Sequence, residues 1–102
     1  MSRVSLATRV GTVPLRSPIL TAAGTAGFGV ELAGYGDLGQ LGAFVTKSLA
    51  SFAWPGNPAP RIAPVGEHLI NSVGLAGPGV DAWRRDYEPS LVAAGVTTVT
   101  SI

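Results

Sequence analysis

Apolar and polar residues alternate between Val4 and Leu15, with Val4, Leu6, Thr8 and Val10 before a Gly11-Thr12 break and Val13 and Leu15 after it. A period of two sends neighbouring side chains to opposite faces, so this stretch predicts a short β-hairpin. Residues 17 to 23 form an apolar run around Pro18-Ile19-Leu20 that closes on Gly24. That reads as a buried strand followed by a glycine-rich loop over residues 24 to 29. Val30, Ala33, Leu38 and Leu41 then fall at near-helical spacing. Gly34 and Gly36 each weaken a helix there by up to about 1 kcal/mol relative to Ala, so a short, broken helix is expected. Gly42-Ala43-Phe44-Val45-Thr46 is continuous and β-prone, as suits a parallel strand buried on both faces, and it ends at Lys47-Ser48.

Residues 51 to 79 carry Pro55, Pro58, Pro60, Pro64, Pro78 and five glycines. A connector this long and this rich in breakers is expected to be a functional loop, and the apolar patch at residues 69 to 75 supports that reading. Residues 81 to 94 read as helical, with Trp83, Tyr87 and Leu91 on one side and Gly95 as the stop. Pro89 should kink this helix or split it in two. A third strand is expected over residues 96 to 102. Strand, helix, strand, helix, strand is the order of an α/β fold with a parallel sheet. The third strand has no covering helix after it, which points to the first portion of a larger protein. Three strands with two helices would be roughly a third of a (β/α)8 barrel of about 250 residues.

Composition narrows the function classes. One domain at most fits in 102 residues, and 46% hydrophobic against 13% charged residues excludes intrinsic disorder. Seven basic and six acidic residues leave a net charge of +1, which provides no electrostatic footprint for nucleic acid or an anionic membrane. With no cysteine there is no disulfide, thiolate metal site or cysteine nucleophile in these residues, and no cluster of metal ligands stands out. The first nine residues lack the apolar core of a signal peptide, and no run approaches the roughly 18 apolar residues of a membrane span. A soluble, cytoplasmic protein is expected.

Few residues carry chemistry. Lys47 is the sole lysine and sits at the C-terminal end of a predicted strand, where α/β barrels concentrate function. It could offer a fixed cation to an anionic ligand or an electron-rich ring, with Ser48 adding a hydroxyl, or it could simply reach into solvent. Gly24-Thr25-Ala26-Gly27-Phe28-Gly29 could bring bare amides to a ligand or serve only as a turn. Its spacing matches neither the dinucleotide fingerprint nor the P-loop. Asn71, set among apolar residues, can both donate and accept toward a planar heterocycle, or satisfy its own loop. His68 beside Glu67 reads as a surface residue, and Arg84-Arg85-Asp86 as a solvated helix face.

Taken in order, Ser17-Pro18-Ile19-Leu20, Ala23-Gly24-Thr25 with Gly27-Phe28-Gly29, Thr46-Lys47-Ser48, Gly56-Asn57-Pro58 with Pro60-Arg61, and Asn71-Ser72-Val73-Gly74-Leu75 form a set. It closely resembles the N-terminal part of the class 1 dihydroorotate dehydrogenases, more the NAD-linked form than the fumarate-linked one. The resemblance implies a (β/α)8 TIM barrel preceded by a β-hairpin, with residues 1 to 102 supplying the first three strands of one FMN-binding domain. It implies oxidation of (S)-dihydroorotate to orotate in pyrimidine biosynthesis, with FMN at the C-terminal mouth of the barrel. Ala23 and Gly24 would give backbone contacts to the flavin, Lys47 and Ser48 would lie against it, and Ser101 matches a flavin-contacting position usually held by Asn. Lys47 would also meet the substrate. Asn71 would hold the pyrimidine by its amide, and Ser72, Val73, Gly74 and Leu75 largely through backbone.

The same resemblance implies a homodimeric core and an iron-sulfur flavoprotein subunit for electron transfer. It places the catalytic base, a cysteine, beyond residue 102, so no catalytic residue is assigned within the segment. Two positions depart from the family pattern: Ala23 stands where many members have Ser, and Pro64-Val65-Gly66-Glu67-His68 differs from the usual loop. The alternatives are a related flavin barrel of the dihydropyrimidine dehydrogenase type and a non-catalytic truncated product.

Overall fold

The structure, a computed structural model, describes residues 3–102. Strands β1 (Thr8–Val10) and β2 (Val13–Leu15) pair antiparallel from Thr8↔Leu15 to Val10↔Val13. The turn falls at Gly11-Thr12 as the alternation predicts, with Gly11 at φ +58°. The predicted strand at residues 17 to 23 shrinks to a single parallel bridge, Leu20↔Ala43. Its cause is Thr21, whose hydroxyl accepts from the Val45 amide at 2.7 Å and donates to the Val45 carbonyl at 3.1 Å. The side chain takes the ladder positions that a backbone partner would otherwise fill.

The helix expected over residues 30 to 41 is replaced by two single 3-10 turns, Ala33–Tyr35 and Leu38–Gln40. The apolar spacing was helical, but Gly34 and Gly36 interrupt it. Asp37 restarts the chain by accepting from the Gly39 amide at 2.8 Å. That bond, with a second from the Gln40 side chain, holds the Asp37 carboxyl below its ordinary value.

Strand β3 (Phe44–Val45) follows as predicted, although only two residues long. The segment from 51 to 79, expected to be a loop, contains a second hairpin. Strands β4 (Ile62–Val65) and β5 (His68–Asn71) pair antiparallel around Gly66-Glu67, in register from Ile62↔Asn71 to Val65↔His68. Pro64 hid β4, because proline cannot donate to a ladder and is tolerated only at an edge. The excursion is closed at its base by the paired Trp54 and Gly77 backbones, 2.9 Å in both directions.

Helices α1 (Val80–Asp86) and α2 (Glu88–Ala94) are the two halves that Pro89 predicts. Pro89 lies in the first turn of α2, where a missing N–H costs nothing, and Gly95 at φ +70° ends that helix. Strand β6 (Thr98–Val99) then pairs parallel with β3, Phe44↔Thr98 and Val45↔Val99.

Ala26, Leu38, Phe44, Leu49, Trp83, Leu91 and Val96 form the core, with Phe28, Leu41, Tyr87 and Ala94 packed against them. Phe44 and Leu91 are fully buried. Burial of side chains this size contributes about 1.5–3 kcal/mol each. The Trp83 indole N–H donates to the Phe28 carbonyl at 2.6 Å, which ties the glycine loop to α1. The radius of gyration is 16.3 Å, above the roughly 13 Å of a compact 100-residue domain. The three small sheets share no continuous ladder, so the described architecture is mixed α/β.

Candidate functional site

The parallel strands deliver chemistry at their C-terminal ends. β3 runs into Lys47 and Ser48, β6 into Ser101, and the Leu20 bridge into Ala23 and Gly24. Opposite them stands the segment that leaves β5. Between the two lies a cavity of about 370 Å³ lined by Ala23, Gly24, Lys47, Ser48, Asn71, Val73, Gly74 and Leu75. Residues up to 52 positions apart in the chain therefore face one space, 23 to 75.

The strand-borne wall is anchored in the core. Thr46 is fully buried and its hydroxyl accepts from the Ser101 amide at 3.1 Å. The Ser48 and Ser101 hydroxyls are 2.7 Å apart, which places Ser101 one hydrogen bond behind the cavity lining. Lys47 is half-buried, and its backbone amide donates to the Gly27 carbonyl at 2.9 Å. Among the described residues no carboxylate lies within 4 Å of its ammonium.

Gly24 takes φ +81°, and a side chain there would meet nothing within 4 Å, so bare backbone borders the cavity at this point. Of the two readings open to the rest of the glycine run, an amide cradle or a turn, the bonds made by Phe28 and Gly29 favour the turn. The Phe28 and Gly29 amides donate to the Glu31 carboxylate at 3.0 and 2.7 Å and are already spent. Glu31 escaped the sequence reading; its one signal is an acidic residue two positions after a glycine run.

The loop-borne wall is held from outside. Asn57 donates through its side-chain amide to the Ser72 carbonyl at 3.0 Å and the Ser72 hydroxyl at 2.9 Å. Its backbone amide donates to the Val73 carbonyl at 2.9 Å. The Ser72 side chain is thus turned to Asn57, and Ser72 is absent from the cavity lining. Arg61 reinforces the arrangement, its guanidinium donating to the Pro55 carbonyl at 2.8 Å and its carbonyl accepting from the Ser72 amide at 2.8 Å. Gly74 (φ +79°) and Leu75 (φ +61°) are both left-handed. For leucine this conformation is uncommon and costs on the order of 1 kcal/mol. Asn71, at the end of β5, is exposed toward the same space.

A second, apolar cavity of about 250 Å³ adjoins the first, lined by Ala50, Phe52, Trp54, Gly74 and Leu75. Phe52 and Trp54 stack edge to face there, with centroids 6.4 Å apart. Away from both, His68 is exposed, and Arg85 forms a two-bond pair with Asp86 on the exposed face of α1. That pair lowers the Asp86 carboxyl and raises the Arg85 guanidinium, as on a solvated helix face. Among the described residues no group of three His, Asp or Glu side chains could hold a metal ion, and no helix is long and apolar enough to cross a membrane.

Comparison with known proteins adds a family. The model described as dihydroorotate dehydrogenase matches residues 5–98. A protein of Alkaliphilus metalliredigens named dihydroorotate dehydrogenase B (NAD(+)), catalytic subunit, is 48% identical over 91 residues, covering 89% of this chain and 30% of the relative. Proteins of the same name from Desulforudis audaxviator and Geotalea uraniireducens are 44% and 35% identical, covering 98% and 100% of this chain and 33% of each relative. The chain thus spans about a third of the length of these curated relatives.

Proposed function

The chain belongs to the dihydroorotate dehydrogenase family, and from that premise we propose that residues 1–102 are the N-terminal segment of a cytoplasmic, FMN-dependent dihydroorotate dehydrogenase. In this reading they supply the first three strands of a (β/α)8 barrel, and the complete protein oxidises (S)-dihydroorotate to orotate in pyrimidine biosynthesis. One observation carries the reading: Ala23, Gly24, Lys47, Ser48, Asn71 and Val73 to Leu75 line a single cavity at the C-terminal ends of the parallel strands. Sites on barrels of this kind sit at that end.

The donor set fits a flavin. An unpaired ammonium, bare backbone at Gly24 and the linked Ser48 and Ser101 hydroxyls suit a planar ring that gains electrons. When bound, FMN supplies the two-electron acceptor. Ala23 and Gly24 hold it through backbone, and Lys47 and Ser48 lie against it, with Ser101 fixing the Ser48 hydroxyl. Lys47 places positive charge where electrons arrive, a contribution that grows as water is excluded. It also meets the substrate carboxylate. The Asn71 amide matches the alternating carbonyl and N–H edge of the pyrimidine, and residues 72 to 75 close the same wall. The proton leaves to a cysteine base beyond residue 102, so this segment binds and orients.

The relatives' names, each a catalytic subunit of an NAD(+)-linked enzyme, support the NAD-linked form and a second subunit; in the same reading the core is a homodimer and the second subunit an iron-sulfur flavoprotein. The test is made on the full-length protein: FMN stoichiometry from its visible spectrum, then orotate formation with NAD+ in the presence of the partner subunit. Flavin binding with orotate formation is the expected result. Reduction of uracil-like rings without dihydroorotate oxidation, or a protein without flavin, overturns the assignment.

A further inference from the structure

Asn57 does not line the cavity, yet it holds the wall that does. Its side-chain amide nitrogen donates to both the carbonyl and the hydroxyl of Ser72, and its backbone amide donates to Val73. Two glycines make this approach possible. A side chain on Gly56 would collide with the Val73 carbonyl oxygen, and one on Gly74 would stand 2.8 Å from the Asn57 amide carbon and oxygen. The Gly56-Asn57 turn and the Val73-Gly74 turn are therefore fitted backbone to backbone, with the Asn57 amide between them.

Immediately after this contact the chain passes through two left-handed residues, and Leu75 is not glycine. Such a conformation persists only where the surroundings over-determine it. Asn57 bonds the two residues that lead into it, Ser72 and Val73, beside the Arg61 carbonyl on Ser72 and the Trp54–Gly77 pair that follows. We infer that Asn57 is a positioning residue: its amide clasps residues 72 to 74 and so fixes the shape in which residues 71 to 75 meet the ligand. The ligand's identity rests on the function proposed above.

The location separates this role from plain structural support. Ser72 is exposed, Asn57 is only half-buried, and neither belongs to the core. Releasing the clasp leaves Phe44, Trp83 and Leu91 packed as before, so the effect should fall on the ligand and not on the fold.

The experiment uses the full-length, flavin-loaded protein, with orotate titrated through the visible flavin spectrum and with steady-state kinetics on dihydroorotate. Asn57→Ala is expected to raise the orotate Kd and the dihydroorotate KM by roughly tenfold or more, with a smaller change in kcat, because the wall must be ordered on binding. Asn57→Asp keeps the size of the side chain and stays readable if the alanine variant folds poorly. It should weaken orotate further, since a carboxylate faces the Ser72 carbonyl. Ser72→Ala retains the carbonyl acceptor and should shift the Kd less than Asn57→Ala. Flavin content and Tm should stay at wild-type levels in all three. Orotate binding at wild-type strength in both Asn57 variants overturns the clasp while the proposed function stands. Loss of flavin and Tm in step with orotate overturns it as well, in favour of a structural role. A wild-type protein that binds FMN but not orotate removes the proposed function and the clasp with it.

Discussion

The two walls of the cavity are built by different means. The wall carrying Lys47 and Ser48 continues β3, where Phe44 and the following Thr46 are completely buried, and the Phe44, Thr46 and Leu49 amides donate to the Thr97, Val99 and Ser101 carbonyls. The wall carrying Asn71 to Leu75 leaves an exposed hairpin and is held by Asn57 and Arg61 at the edge of solvent. Core-anchored geometry costs little to maintain once the domain has folded, whereas geometry held by exposed hydrogen bonds depends on contributions of about 1 kcal/mol each. The first wall suits a resident group, and the second suits a ligand that comes and goes.

Substitutions in the full-length protein test this division. Phe44→Ala should destabilise by about 3–5 kcal/mol and release the flavin with the fold, as followed by denaturant unfolding. Lys47→Ala should leave Tm nearly unchanged but slow flavin reduction by dihydroorotate on the order of 10²-fold, measured by stopped flow. An equal loss of stability in that variant would show that the lysine is structural. Leu69→Ala on the second hairpin should change unfolding free energy less than Phe44→Ala, because Leu69 lies outside the core that Phe44 joins. If it destabilises as strongly as Phe44→Ala, then the two walls are not differently built.

The smallest effect concerns pH. Asp37 is held below its ordinary value of 3.8 by the Gly39 amide first and the Gln40 side chain second. A carboxyl depressed on folding contributes stability that is complete above 3.8 and disappears as the pH falls through its lower folded value. Asp37→Asn should therefore lower Tm slightly at neutral pH, where the contribution is complete, and the two Tm-against-pH curves should converge on the acid limb.

Local rules made part of this structure legible. Gly11-Thr12 marks its turn, Pro89 splits its helix, Gly95 stops it, and the run at residues 42 to 46 contains its strand. The departures have two causes: a partner from elsewhere in the chain overrode a local signal at Thr21 and Pro64, and at residues 30 to 41 the glycines broke the helix further than its apolar spacing suggested. Thr21 replaces ladder bonds with a hydroxyl, Gly34 and Gly36 defeat a helical spacing, and β4 forms despite Pro64. For the site, Lys47 was visible as the only lysine at a strand end, and the ordered motifs brought in residues 23, 24, 48, 71 to 75 and 101. Asn57 acts through a partner 15 residues away that folding brings to it, so the linear pattern could not reveal its role, whereas Glu31 binds amides two and three residues before it and left only a weak local signal.

Leu75 has a consequence for inheritance as well as for binding. A left-handed backbone narrows the substitutions that the position can accept. Glycine, asparagine and aspartate enter such a conformation readily, whereas valine, isoleucine and threonine resist it, although they resemble leucine more closely by hydropathy or bulk. On the function proposed above, a saturation library selected for pyrimidine prototrophy should vary at codon 75 by backbone tolerance ahead of hydrophobic similarity.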